Sequence, residues 1–85
     1  MTAFETAWER INAFAGQQFR TKTGIVFTYT IEGTNVVPDR TRYPLHMSQF
    51  RLAFDRMPLS GPGEINRLVR GPAYIFAILT DRRVV

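Results

Sequence analysis

Over the first fifteen positions the apolar residues Phe4, Ala7, Trp8, Ile11, Phe14 and Ala15 return every three or four places, with Glu5, Glu9, Arg10 and Asn12 between them. That spacing lays one apolar stripe along an α-helix. Thr2 and Glu5 stand at capping-box spacing, and Gly16 offers the left-handed conformation that stops many helices. After Gly16 the period shortens to two. Ile25, Phe27, Tyr29 and Ile31 alternate with Val26, Thr28 and Thr30, the pattern of a half-buried strand. A short strand at Gln18 to Arg20, a turn at Thr21-Lys22-Thr23-Gly24 and a reversal at Glu32-Gly33-Thr34 into Asn35-Val36-Val37 complete a three-stranded antiparallel β-meander. Pro38-Asp39 opens the next turn. One face of such a meander is apolar and has to be covered by helices.

The second half of the chain is helical in pattern. Tyr43 to Met47 forms a connector with some extended character, and Ser48 is a good N-cap for a helix whose stripe is Phe50, Ala53, Phe54 and Met57. Arg51 and Asp55 sit one turn apart on its other side, and Pro58 ends it. Pro62 suits the first position of a second short helix that Gly71 would stop. Ala73 to Leu79 is an unbroken run of seven apolar residues, which periodicity alone assigns neither to helix nor to buried strand. Pro72 ahead of it favours helix. Such a helix is apolar all round, so it is either the central core element or a surface for self-association. The predicted fold class is α+β in a single domain over residues 1–85. It comprises an N-terminal helix, the three-stranded meander, and two to three short C-terminal helices packed on one sheet face.

Composition narrows the picture. With 45% apolar and 13% aromatic residues the chain is too hydrophobic to be disordered, and no apolar run is long enough to span a membrane. The absence of Cys removes disulfides, zinc–thiolate sites, iron–sulfur clusters and thiol nucleophiles. Met1 to Glu5 lacks the basic stretch and apolar run of a secretory signal, so the expected location is cytoplasmic, with no membrane partner.

The net charge is +4, and ten of the eleven basic residues are Arg. Arg forks match phosphate and carboxylate geometry, although a GC-rich coding sequence produces the same bias. Catalytic residue types are scarce: one His, no Cys, and seven carboxylates without metal-ligand spacing. Gly61-Pro62-Gly63 is no phosphate loop, because its Pro has no N–H and no Gly-Lys-Ser/Thr follows. The expectation is therefore a small non-enzymatic binding protein without catalytic residues, metal or cofactor.

Its leading partner is DNA or RNA, contacted through Arg20 and Lys22 at the first turn, Arg40, Arg42 and Tyr43 after the meander, and Arg67 and Arg70 on the second short helix. Arg82 and Arg83 could join them. The alternative is a protein–protein module or homodimer that uses the 73–79 segment. A helix-turn-helix over 48–57 and 62–70 has a suitable loop, but Ile65, Leu68 and Val69 take up much of the second helix. The cations are dispersed through the chain, so only the fold can gather them.

Overall fold

The computed structural model describes residues 1–85 and opens with helix α1, Ala3–Ala13. The capping box forms as the spacing predicts: Glu5 N donates to Thr2 Oγ1 at 3.1 Å, and Thr2 N donates to Glu5 Oε1 at 2.9 Å. These bonds hold the Glu5 carboxyl below its usual range, the backbone bond from Thr2 most of all. The helix stops at Ala13 rather than running to Gly16, and Gly16 (φ 88°) lies in the turn beyond, its N–H donating to Tyr29 O at 2.9 Å.

Five short strands follow: β1 (Phe19–Arg20), β2 (Val26–Phe27), β3 (Tyr29–Glu32), β4 (Asn35–Pro38) and β5 (Leu45–His46). The long strand expected from Ile25 to Ile31 is broken at Thr28. Its first half pairs antiparallel with β1, Phe19 opposite Phe27; its second half pairs with β4, which pairs in turn with β5. Asp39 causes the break by engaging both backbone groups of Thr28: its carboxylate accepts from Thr28 N at 3.1 Å and its own N–H donates to Thr28 O at 2.9 Å. The expected meander is thus present as a two-stranded and a three-stranded ladder joined through one bent strand. Alternation survives the bend, with Phe27 and Tyr29 buried and Thr30 exposed, while Ile25 at the turn is exposed. In the β3–β4 hairpin Gly33 (φ 63°) takes the first of two central positions, which a type II′ turn reserves for glycine.

Helix α2 (Met47–Phe54) is capped by His46, two residues ahead of the expected cap Ser48. His46 Nδ1 accepts from Ser48 N at 3.1 Å. A backbone nitrogen can only donate, so Nδ1 is unprotonated and Nε2 carries the hydrogen, directed at Thr34 Oγ1 3.0 Å away. The chain's single His is therefore tied at both ring nitrogens. Arg51 and Asp55 pair at 3.3 Å, but both are more than half exposed, so the pair stabilises the helix by only about 0.3–0.5 kcal/mol.

The helix expected over 62–70 is reduced to one 3-10 turn, Pro62–Ile65, followed by further turns. Its leading residue, Gly61, has no side chain to cap it, and Gly63 adds backbone freedom that helix formation must remove. No recognition helix results. Gly71 does not close that segment as a helix stop; it sits in the left-handed region (φ 60°, ψ 48°) at the head of α3 (Pro72–Leu79), where its carbonyl accepts from Tyr74 N and Ile75 N.

Helix α3 is the centre of the core. Ile75, Ala77, Ile78 and Leu79 are buried and no residue of the helix is exposed. Tyr74 meets Phe27 edge-on at 5.0 Å, and Phe19 lies 5.2 Å from Tyr29. On the other side α1 joins α2 through Trp8–Phe50 (5.8 Å) and Phe4–Phe54 (5.5 Å). The C-terminal segment is anchored by Arg83, which pairs with Asp81 at 2.9 Å, donates to Gln18 O at 2.8 Å and lies 4.0 Å over the Phe19 ring. The radius of gyration is 11.4 Å, close to the roughly 12 Å of a packed chain this long.

Tyr29 is buried and its hydroxyl donates to Ile11 O at 2.6 Å, satisfying a carbonyl in the last turn of α1 that has no helical partner. Burial raises its pKa well above the ordinary value of 10.0, with Asp81 adding to the rise and Arg83 opposing it. Tyr29→Phe is expected to cost about 1–3 kcal/mol in urea denaturation, the penalty for a buried carbonyl left unsatisfied. The unfolded chain releases the Tyr29 proton near pH 10 while the folded chain keeps it. Stability is then present below pH 10 and falls as pH rises beyond it. Denaturation between pH 8.5 and 11 should show a steeper decline for wild type than for Tyr29→Phe; equal slopes would refute this contribution.

Candidate nucleic-acid interface

Seven residues stand out in the sequence as candidate contacts, and the fold treats them unequally. Arg40 Nε donates to Val26 O at 2.9 Å. Thr21 N bonds Ile25 O, and this places the Val26 carbonyl on the side of β2 facing away from β1, so Arg40 occupies an edge that no strand covers. Arg20 is the register partner of Val26 across the β1–β2 ladder and is tied to Gly24 O at 3.2 Å. Arg20 and Arg40 therefore flank one short strand. Lys22 turns elsewhere and donates to Ser60 O at 2.7 Å, with the Gly61 backbone against its ammonium.

The other end of the 39–43 loop reaches Arg70. The Arg70 guanidinium carbon lies 5.0 Å from the centre of the Tyr43 ring, a cation–π contact between two of the three sets of candidates. Two further contacts fix this meeting point. Arg70 N donates to Gln49 Oε1 of α2 at 2.9 Å, and Gly71 packs on Leu45, whose side chain would stand 3.1 Å from any Cβ there. Arg42 and Arg67 are exposed in the same two segments. Contacts thus link Arg40, Tyr43 and Arg70 through one loop, with Arg20 across β2 from Arg40 and Lys22 held by a different segment. Arg82 is exposed, and Arg83 is committed to Asp81 and Phe19.

The electrostatics are one-sided. Of eleven cations only Arg51 and Arg83 have a carboxylate partner; Arg10, Arg20, Lys22 and Arg40 bond carbonyl oxygens, which orient a charge without neutralising it. Five of the seven carboxylates have structural tasks: Glu5 in the capping box, Asp39 on Thr28, Asp55 and Asp81 in ion pairs, and Glu64 accepting from Ser60 N. Asp81 is held below its usual pKa range, chiefly by the Arg83 side chain. No three His, Asp or Glu side chains stand close enough together to hold a metal ion.

Beside Arg70 lies an open polar groove of about 350 Å³ lined by Pro44, His46, Gln49 and Arg70. Gln49 was invisible to charge-based reasoning, being a neutral residue in a helix stripe pattern. A second, apolar groove of about 310 Å³ runs between α1 and the C-terminus, lined by Ala3, Ala7, Phe54 and Val84 among others. Of the 73–79 segment, the alternative partner surface, Ile75, Ala77, Ile78 and Leu79 are buried in the core, while Ala73, Tyr74 and Phe76 are half-buried. No helix is long and apolar enough to cross a membrane. No family model, curated protein or solved structure matches the chain.

Proposed function

We propose that this chain is a small non-catalytic binding protein that contacts nucleic acid through the surface formed by Arg20, Arg40, Arg42, Tyr43, Arg67 and Arg70. The observation that carries the proposal is the stacking of Arg70 on Tyr43, which brings two separate Arg-bearing segments together with no carboxylate paired to any of these Arg residues. Unneutralised Arg next to an aromatic ring supplies the two contacts that backbone-tracking proteins use: phosphate neutralisation and stacking. Lys22, though a cation at the first turn, is tied to the 60–61 loop and contributes general positive potential. A non-catalytic reading is supported by the engagement of five of the seven carboxylates and both His46 ring nitrogens in hydrogen bonds or ion pairs.

Fluorescence anisotropy with labelled oligonucleotides at several salt concentrations tests it. Binding at micromolar protein should weaken linearly in log–log form with added salt. The triple variant Arg42→Ala, Arg67→Ala, Arg70→Ala should bind about 10- to 100-fold more weakly at moderate salt, with a salt slope shallower by about 2. Salt-insensitive binding, no binding, or an unchanged triple variant would overturn the proposal.

A further inference from the structure

We infer that the ligand of this surface is single-stranded nucleic acid, one unpaired base of which enters the groove lined by Pro44, His46, Gln49 and Arg70. The inference rests on the proposed function above and adds the class of nucleic acid.

The groove offers a specific set of free polar groups. Gln49 Oε1 is used by Arg70 N, and since a backbone nitrogen only donates, the atom it meets must be the amide oxygen. The Gln49 Nε2 amino group is therefore left without a protein partner, with two hydrogens to donate. The Arg70 guanidinium makes no hydrogen bond and no ion pair; Tyr43 covers one side of it. His46 contributes no free nitrogen, because Ser48 and Thr34 take both. The free side-chain groups lining the groove are all N–H donors, with Pro44 as an apolar wall. Such a groove selects acceptor atoms: the carbonyl oxygens and ring nitrogens along the edge of a base, or phosphate oxygens beside it. At about 350 Å³ it lies at the small end of ligand sites, which span about 300–1,000 Å³. A base can reach such a groove only when it is not stacked and paired in a duplex.

The rest of the surface disfavours a duplex. Reading a major groove needs a protruding helix or ribbon with a free basic face. The exposed side of α1 carries Glu5 and Glu9 with one cation, Arg10, which is bonded to Val84 O; α3 exposes nothing, and on α2 Arg51 is paired with Asp55. The 62–65 segment is one turn. The tip of the β1–β2 hairpin carries Arg20 and Lys22, but its strands are two residues long, too short for a ribbon that fills a major groove.

The test uses the full chain and a fluorescein-labelled 12-nucleotide strand of mixed sequence, as RNA and as DNA, free and annealed to its complement. At equal salt the single strand should bind at least tenfold more tightly than its duplex, and 2-aminopurine within the strand should change fluorescence on binding. Gln49→Glu keeps an oxygen for Arg70 N and replaces the donor by a carboxylate oxygen; it should weaken single-strand binding at least tenfold. Ala13→Glu, the same charge change at the exposed end of α1, should weaken it less than threefold. Duplex binding as tight as single-strand binding overturns the inference and leaves the nucleic-acid proposal standing. Equal losses in the two variants overturn the placement of the base in this groove. No binding of any strand defeats the proposed function itself.

Discussion

Gly71→Ala should lower stability by about 2–5 kcal/mol, out of the roughly 4–13 kcal/mol expected for a domain of this size. Two independent costs add. The left-handed backbone at φ 60°, ψ 48° costs a residue with a Cβ about 1–2 kcal/mol. The new Cβ would also stand 3.1 and 3.3 Å from the two Leu45 methyl carbons, and Leu45 is fully buried, so the neighbour must shift within a packed core at a further cost of about 1–3 kcal/mol. Gly63→Ala is the control: a Cβ there meets nothing within 4 Å and its backbone is not left-handed, so the change should stay within about 1 kcal/mol. Urea denaturation of the three proteins gives the comparison. The idea fails if Gly71→Ala loses no more than Gly63→Ala. Because Gly71 adjoins Arg70, the same substitution should also weaken oligonucleotide binding in the fraction that remains folded.

Gly71 illustrates which signals the sequence carried and which it did not. A glycine directly before Pro72 marks a boundary by local chemistry alone, and a boundary is there. That the position also excludes a Cβ depends on Leu45, far away in the chain, which fills the space a side chain would need. The same division runs through the rest of the fold. The capping box, the stripe Phe4–Ala7–Ile11 and the Arg51–Asp55 pair follow from spacing within a turn or two, and all form. The break at Thr28 depends on Asp39 reaching across to both of its backbone groups, and the His46 cap depends on a ring nitrogen meeting Ser48 N, a role that residue preference assigns to Ser or Asp.

The candidate surface divides in the same way. Arg40, Arg42, Tyr43, Arg67 and Arg70 are legible as residue types suited to nucleic acid, but the contact between Tyr43 and Arg70 is a tertiary fact: β5 pairs with β4 and carries Tyr43 and Pro44 toward α2, while the turn before α3 brings Arg70 to the same place. Gln49 could not have been singled out, since its significance lies in which of its two polar atoms is already used. Lys22 differs from Arg20 and Arg40 in that its partner is Ser60, in a segment remote from the 39–43 loop, whereas theirs lie on the β1–β2 hairpin.

The helical half should be most sensitive at Phe50. Helix α2 has only eight residues, its cap is worth about 1 kcal/mol, and its exposed ion pair adds little, so it persists through what it buries. That is chiefly Phe50, fully buried and in edge contact with Trp8 of α1, with Ala53 beside it. Phe50→Ala removes the ring from both the α1–α2 seam and the core, and in so tight an interior the cavity cannot fully collapse; a loss of about 3–5 kcal/mol is expected. Phe50→Leu refills most of the volume and should cost clearly less. Trp8 is the only Trp in the chain, so its fluorescence reports directly on this contact as well as on unfolding. A Phe50→Ala protein whose unfolding free energy from urea denaturation stays within about 1 kcal/mol of wild type would show that α1 and α2 are held by something other than this ring. Since Gln49 precedes Phe50, loosening α2 should also release Arg70 N and weaken single-strand binding, whereas Tyr29→Phe, which loosens the end of α1, should leave binding by the remaining folded protein unchanged.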